Sequence, residues 1–164
     1  MSSSTPELTA AVLTVSDSSS RGEREDLGGP VVAAALEKHN FHVVAREIVP
    51  DDKSTIREAL VRMCGEASFV VTTGGTGIAP RDVTPEATRE VCDRLIEGIA
   101  ERMRSEGAKT TKLAALSRAV CGVRGQSVIL NLPGKPSGAV ESLEAVIDVI
   151  PHVLRLLSGD TRHE

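Results

Sequence analysis

Apolar residues follow two rhythms along this chain: short unbroken runs, and longer stretches in which they recur every three or four positions. The first run, residues 8–15, is rich in β-branched side chains and has no polar face, the pattern of a strand buried on both sides of a parallel sheet. A polar loop follows at 16–29. Pro30 suits a first helical position, and 31–40 reads as a helix. Residues 41–49 form the next strand, stopped by Pro50. Helical spacing at Ile56, Leu60 and Met63, behind a capping box at Thr55 and Glu58, predicts a helix over 54–67. Residues 69–72 are then a third strand.

Three strand-then-helix steps predict βαβ units and a three-layer α/β/α domain, with a mostly parallel central sheet and helices on both faces. In the second half, Thr84 as cap and Pro85 at the first position open a helix to about Leu95, and 99–105 is helical after Gly98. Residues 118–123 and 127–132 read as extended around Arg124-Gly125, a hairpin. Beyond a Pro133-Gly134-Lys135-Pro136 turn, 137–157 forms a terminal helix kinked or broken at Pro151. The pattern divides the chain into a flexible tail at 1–7, a single domain at 8–158 and a short tail at 159–164.

Composition narrows the function classes. Hydrophobic residues make up 40% and charged residues 26% of 164, ordinary for a globular protein. Two Phe, with no Trp or Tyr, leave almost no platform for stacking bases. A net charge of −4 argues against a general nucleic-acid or anionic-membrane binder. Cys64, Cys92 and Cys121 are widely spaced and odd in number, which suits reduced core thiols. With no leader pattern and no apolar run long enough to span a membrane, the expected location is cytoplasmic.

Ligands of parallel α/β sheets sit beyond the carboxyl ends of the strands. Three loops fall there: Ser16-Asp17, Pro50-Asp51-Asp52, and 74–82. Gly74, Gly75 and Gly77 can turn backbone N–H groups toward an anion, and Thr73 and Thr76 add hydroxyls. The loop is neither a Walker A motif nor a dinucleotide fingerprint, because no Gly-Lys-Ser/Thr follows and Pro80 takes the place of the third glycine. Asp82 and Asp51 lie at separate strand ends, each just before a helix. Together they suit Mg²⁺ held through oxygen, with nucleotide phosphates completing the shell. One of Asp51 and Asp52 has the alternative role of helix cap, and spacing leaves open which.

From Gly107 to Val140 there is no Asp or Glu, while Lys109, Lys112, Arg118, Arg124 and Lys135 are present. Such a window compensates an anionic ligand; a nucleic-acid reading would rest on the same residues. His39, His42, His152 and His163 show no metal-ligand spacing and lie outside the candidate loops. Chemistry carried by carboxylates, Mg²⁺, glycine amides and Lys or Arg suits phosphoryl or nucleotidyl transfer.

The run Thr73-Gly74-Gly75-Thr76-Gly77 through Arg81-Asp82-Val83-Thr84-Pro85-Glu86-Ala87-Thr88 closely resembles the molybdopterin adenylyltransferases of the MogA and MoaB group, and is similar to the gephyrin G domain. Val15-Ser16-Asp17, Val49-Pro50-Asp51-Asp52, Leu116-Ser117-Arg118 and Asn131-Leu132-Pro133-Gly134 with Pro136 match in the same order. The resemblance implies adenylylation of molybdopterin by Mg²⁺-ATP with release of pyrophosphate, a step in molybdenum cofactor biosynthesis. It implies that Asp51 and Asp82 carry the catalysis and the Mg²⁺, and that Gly74, Gly75, Thr76 and Gly77 cradle phosphate. Ser16 and Asp17 then belong to the nucleotide pocket, Ser117 and Arg118 to the pterin side, and Pro133, Gly134, Lys135 and Pro136 to a covering loop. It further implies a homotrimer or hexamer and a separate molybdenum-insertion protein downstream. The alternative is a catalytically silent molybdopterin-binding or scaffolding protein of MoaB type; some MoaB-type relatives lack the Arg-Asp pair that this chain keeps at Arg81-Asp82.

Overall fold

The computed structural model describes residues 7–161; the outer parts of both expected tails, 1–6 and 162–164, lie outside the described residues. Six strands form one sheet in the order β2-β1-β3-β6-β5-β4. The strands β1 (Thr9–Val15), β2 (His42–Val49), β3 (Phe69–Thr73) and β6 (Ser127–Leu132) run parallel; β5 (Cys121–Arg124) pairs antiparallel with β6, and the two-residue β4 (Arg94–Leu95) pairs antiparallel with β5 at the edge.

The unbroken apolar runs form central strands because alternate side chains enter two different cores. Ala10 and Val12 of β1, Phe69 and Val71 of β3, and Val128, Leu130 and Leu132 of β6 face one layer. That layer comes from α2 (Gly28–Lys38), α5 (Glu97–Ala108), α6 (Pro136–Val146) and α7 (Ile150–Leu157), through residues such as Leu36, Met103, Leu143 and Ile150. Ala11, Leu13, Val70 and Ile129 face the opposite layer, built by α3 (Lys53–Cys64) and α4 (Thr84–Val91) through Ile56, Leu60, Ala87 and Val91. The α/β/α layering expected from the sequence is present.

The register brings the site loops to one end. Thr73 pairs with both Thr14 and Leu132, and Val15 pairs with Val49, so these four strands finish nearly level. The loops that begin at Ser16, Pro50, Gly74 and Pro133 therefore emerge side by side. The crossover through α2 runs on one face and that through α3 on the other, which opens a crevice at the carboxyl ends of β1 and β3.

Several elements differ locally from the pattern of the sequence. The polar loop at 16–29 contains a single helical turn, α1 (Asp17–Ser20), capped by Ser16, whose Oγ accepts the Ser19 N–H. Helix α2 starts at Gly28 and not at Pro30; the Asp26 carboxylate accepts the Gly29 N–H at 2.9 Å and the Thr14 hydroxyl at 2.8 Å, fixing that start against β1. The cap of α3 is Asp52, not the Thr55 box: its Oδ2 accepts both the N–H and the hydroxyl of Thr55. Helix α4 ends at Val91, because Cys92 turns extended and lets Arg94 and Leu95 pair with β5. Val83, not Thr84, holds its cap position. Glycine at position 98 sits inside the first turn of α5 without interrupting it. The terminal helix breaks ahead of Pro151, in a 3-10 turn at Ile147–Val149, since a proline ring excludes the carbonyl four residues back.

All three cysteines are free. Cys121 is buried and its thiol is pushed up to about 12; Cys64 and Cys92 are half-buried and pushed up to about 11, each by loss of solvent. They are protonated at neutral pH and carry packing, not nucleophilic chemistry.

Candidate functional site

The glycine loop leaves β3 through backbone that only glycine tolerates. Gly74 has φ +103° and Gly75 φ +70°. A Cβ on Gly74 would meet the Val15 carbonyl, and one on Gly75 would meet the Thr84 hydroxyl and lie 3.1 Å from Asp51 Oδ1. The loop is anchored on both flanks: the Thr84 hydroxyl donates to Gly74 O at 3.0 Å, and the Thr73 hydroxyl donates to Pro133 O at 2.8 Å.

Behind these anchors lies a buried polar network. Asn131, wholly buried at the end of β6, donates from Nδ2 to the hydroxyls of Thr72 and Thr88 at 3.1 and 2.9 Å, and its Oδ1 accepts the Val120 N–H at 3.1 Å. The Thr88 hydroxyl donates onward to Thr84 O. Asn131 thereby joins β3, β6 and α4 directly beneath the glycine loop. Its position in the Asn131-Leu132-Pro133-Gly134 motif was legible; this internal role was not.

Asp51 and Asp17 hold each other by reciprocal bonds. The Asp17 N–H donates to Asp51 Oδ2 at 2.9 Å, and the Asp51 N–H donates to Asp17 Oδ1 at 3.0 Å. Arg81 reaches back from the far side of the glycine loop and forks onto Asp17, from Nε at 3.0 Å and Nη2 at 2.8 Å. That guanidinium holds the Asp17 carboxyl below its usual range. Burial raises Asp51 above its usual value, and the nearby charges of Asp17 and Asp82 add to the rise while the Asp17 N–H opposes it. With Asp52 committed to capping α3, Asp51 is the carboxylate turned to the cleft.

Two adjoining cavities occupy this end of the sheet. One, about 410 Å³, is lined by Ser16, Asp51, Gly74, Gly75, Asp82 and Pro136 among others. The larger, about 690 Å³, includes Thr76, Gly77, Ser117 and Pro133, together with Met103, Leu113, Ala114 and Leu116. Gly75, Asp82, Gly134 and Lys135 line both, so the glycine loop and the Asp82 carboxylate stand at the boundary. Ser19 and Asp26 also line the smaller cavity; sequence reading passed over them because they sit in a polar loop without a motif.

Two candidate residues line neither cavity. Asp17 instead braces Asp51 and Arg81. Arg118 turns to the protein, donating from Nε to Gly77 O at 2.8 Å and from Nη2 to Asp82 O at 2.7 Å, and pairing with Glu86. The acid-free window is correspondingly less basic toward the cleft than its sequence suggests. Lys109 pairs with Glu106 and Arg124 donates to Val91 O, and of the five cations Lys135 alone lines the cavities.

Among the described residues, no group of three or more His, Cys, Asp and Glu side chains is gathered as a metal site. Asp51 and Asp82 supply a two-carboxylate donor set on one cavity, and the charge of Asp82 raises Asp51 by repulsion that a cation would relieve. Such a pair fits Mg²⁺, which is held by one or two carboxylates plus phosphate and water. No helix among the described residues is long and apolar enough to cross a membrane.

Comparison with known proteins agrees with this geometry. Molybdopterin adenylyltransferase from Helicobacter pylori strain J99 is 44% identical over 156 residues, spanning 91% of this chain and 87% of the relative. The enzyme of the same name from Escherichia coli K12 is 37% identical over 169 residues, spanning 93% and 86%. The solved structure of the molybdopterin biosynthesis enzyme MoaB from Thermus thermophilus superposes with a TM-score of 0.87 at 49% identity, covering 93% of this chain and 97% of that one. The family model described as a probable molybdopterin binding domain matches residues 11–152, and the chain belongs to that family.

Proposed function

We propose that this protein is a molybdopterin adenylyltransferase of molybdenum cofactor biosynthesis. The observation that carries this reading is the pair of adjoining cavities that share Gly75 and Asp82, since group transfer between two substrates requires their phosphates to meet. In this reading ATP occupies the smaller, carboxylate-lined cavity. Molybdopterin occupies the larger one, with its ring system against Met103, Leu113 and Leu116 and its phosphate at the glycine loop.

A phosphate oxygen of molybdopterin bonds to the α-phosphorus of ATP as the bond from that phosphorus to the bridging oxygen breaks, and pyrophosphate leaves. The nucleophile needs no strong base, because a phosphate monoester with a second pKa of about 6 is already ionised at neutral pH. The Gly74 N–H is taken by Leu132 O at 3.1 Å, so the backbone N–H groups of 75–77 would hold the phosphates, and Lys135 at both cavities adds positive charge. Asp51 and Asp82 would hold Mg²⁺, which when bound neutralises charge developing on the transferring and leaving phosphates. Asp17 keeps Asp51 in place and Arg81 at the rim.

The names of the relatives support this activity, and the presence of Arg81 and Asp82 favours it over a silent scaffold. We place the enzyme in the cytoplasm as a homo-oligomer, a trimer or a hexamer, which hands its product to a separate molybdenum-insertion protein; these points rest on the sequence resemblance. Purified protein should release pyrophosphate only when ATP, molybdopterin and Mg²⁺ are all present, with release stopped by chelation and restored by Mg²⁺. Bound molybdopterin without any release would favour the scaffold.

A further inference from the structure

The turn that carries Asp82 closes on itself weakly. The Asp82 N–H donates to Ala79 O at 2.9 Å, and the Ala79 N–H donates to Asp82 Oδ2 at 3.0 Å. Ile78, Ala79, Pro80 and Arg81 are all exposed, so apart from the Arg81 fork onto Asp17 little holds this segment from outside. Both of its ends are gripped by one side chain from a distant part of the chain. Arg118 Nε takes Gly77 O, Nη2 takes Asp82 O, and the Arg118 backbone N–H takes Thr76 O at 2.9 Å.

The third guanidinium nitrogen is also committed. Nη1 donates to both carboxylate oxygens of Glu86, at 2.9 and 2.8 Å, in the first turn of α4. Every nitrogen of the fork therefore has a protein partner, although Ser117 and Ala119 on either side line the larger cavity. A planar, rigid fork can span two carbonyls and a carboxylate at once; a lysine ammonium cannot.

We infer that Arg118, oriented by Glu86, is a positioning residue that sets the placement of the Asp82 carboxylate and does not itself contact substrate. The inference rests on the adenylyl-transfer reading for its kinetic consequences, but the clamp exists independently of it. Side chains of both partners are 40% exposed, so the pair adds little to global stability and variants should fold.

Arg118→Ala and Glu86→Ala are therefore expected to act alike. Each should lower kcat for pyrophosphate release by about 10- to 100-fold, since a small displacement of a reacting geometry has that cost. Each should raise the Mg²⁺ concentration needed for half the maximal rate, with the molybdopterin Kd moving less than about threefold. Arg118→Lys, keeping part of the grip, should fall between. Amide hydrogen exchange at 77–82, measured without substrates, should quicken in both alanine variants. Glu86→Ala with unchanged kcat, Mg²⁺ response and exchange would overturn the inference. So would Arg118→Ala that weakens molybdopterin binding by about tenfold or more at unchanged exchange, which would make Arg118 a ligand contact. Wild-type protein that releases no pyrophosphate, with exchange still quickened in the variants, would overturn the functional reading and leave the clamp standing.

Discussion

Asp82→Asn is expected to lower kcat for pyrophosphate release by about 10²- to 10³-fold, the range seen when one preorganised charge-stabilising group is removed from an active site. The asparagine carbonyl can still accept the Ala79 N–H that Asp82 accepts at 3.0 Å, so the turn should keep its shape. What is lost is the negative charge at the boundary of the two cavities, and with it half of the proposed Mg²⁺ donor set. Molybdopterin binding should stay within about threefold of wild type, because the larger cavity is lined mainly by other residues. A fall in rate below about threefold would remove Asp82 from the catalytic machinery.

The largest effect on stability is expected at Asn131. Asn131→Leu keeps the branching of the side chain, with bulkier methyl ends, but leaves the Val120 N–H without its acceptor and the Thr72 and Thr88 hydroxyls without the amide that they share. A buried polar group left unpaired costs about 1–3 kcal/mol, so the variant should lose about 3–5 kcal/mol of unfolding free energy. Thermal unfolding should then begin about 10 °C earlier for a chain of this size. Because Thr88 continues to Thr84, and Thr84 to Gly74 O, the glycine loop should loosen as well. A loss under about 1 kcal/mol would show that these groups find other partners.

The parts of the molecule that repeat locally were legible in the sequence. Apolar runs at β1, β3 and β6 and helical spacing at Ile56, Leu60 and Met63 give the layers, because burial on two faces dictates those patterns. The glycine loop was legible because positive φ admits few other residues. Caps were less so: Asp52, Ser54 and Thr55 all have capping chemistry, and only the emergence of the chain from β2 selects Asp52 and frees Asp51. The antiparallel edge at β4 escaped because two residues carry no periodicity. Arg118 illustrates the deeper limit. An arginine near a motif reads equally as a ligand contact or a structural fork, and its choice is set by Gly77, Asp82 and Glu86, which are distant in sequence.

The proposed function requires that the adenylyl group, and not the terminal phosphate, moves between the two cavities. The most direct measurement follows two labels in parallel: ATP labelled at the α-phosphorus and ATP labelled at the γ-phosphorus, each with wild-type protein, molybdopterin and Mg²⁺. Adenylyl transfer should place the α-label in a pterin-containing product and the γ-label in free pyrophosphate. A γ-label on the pterin, or an α-label that never leaves ATP while molybdopterin is demonstrably bound, would contradict it.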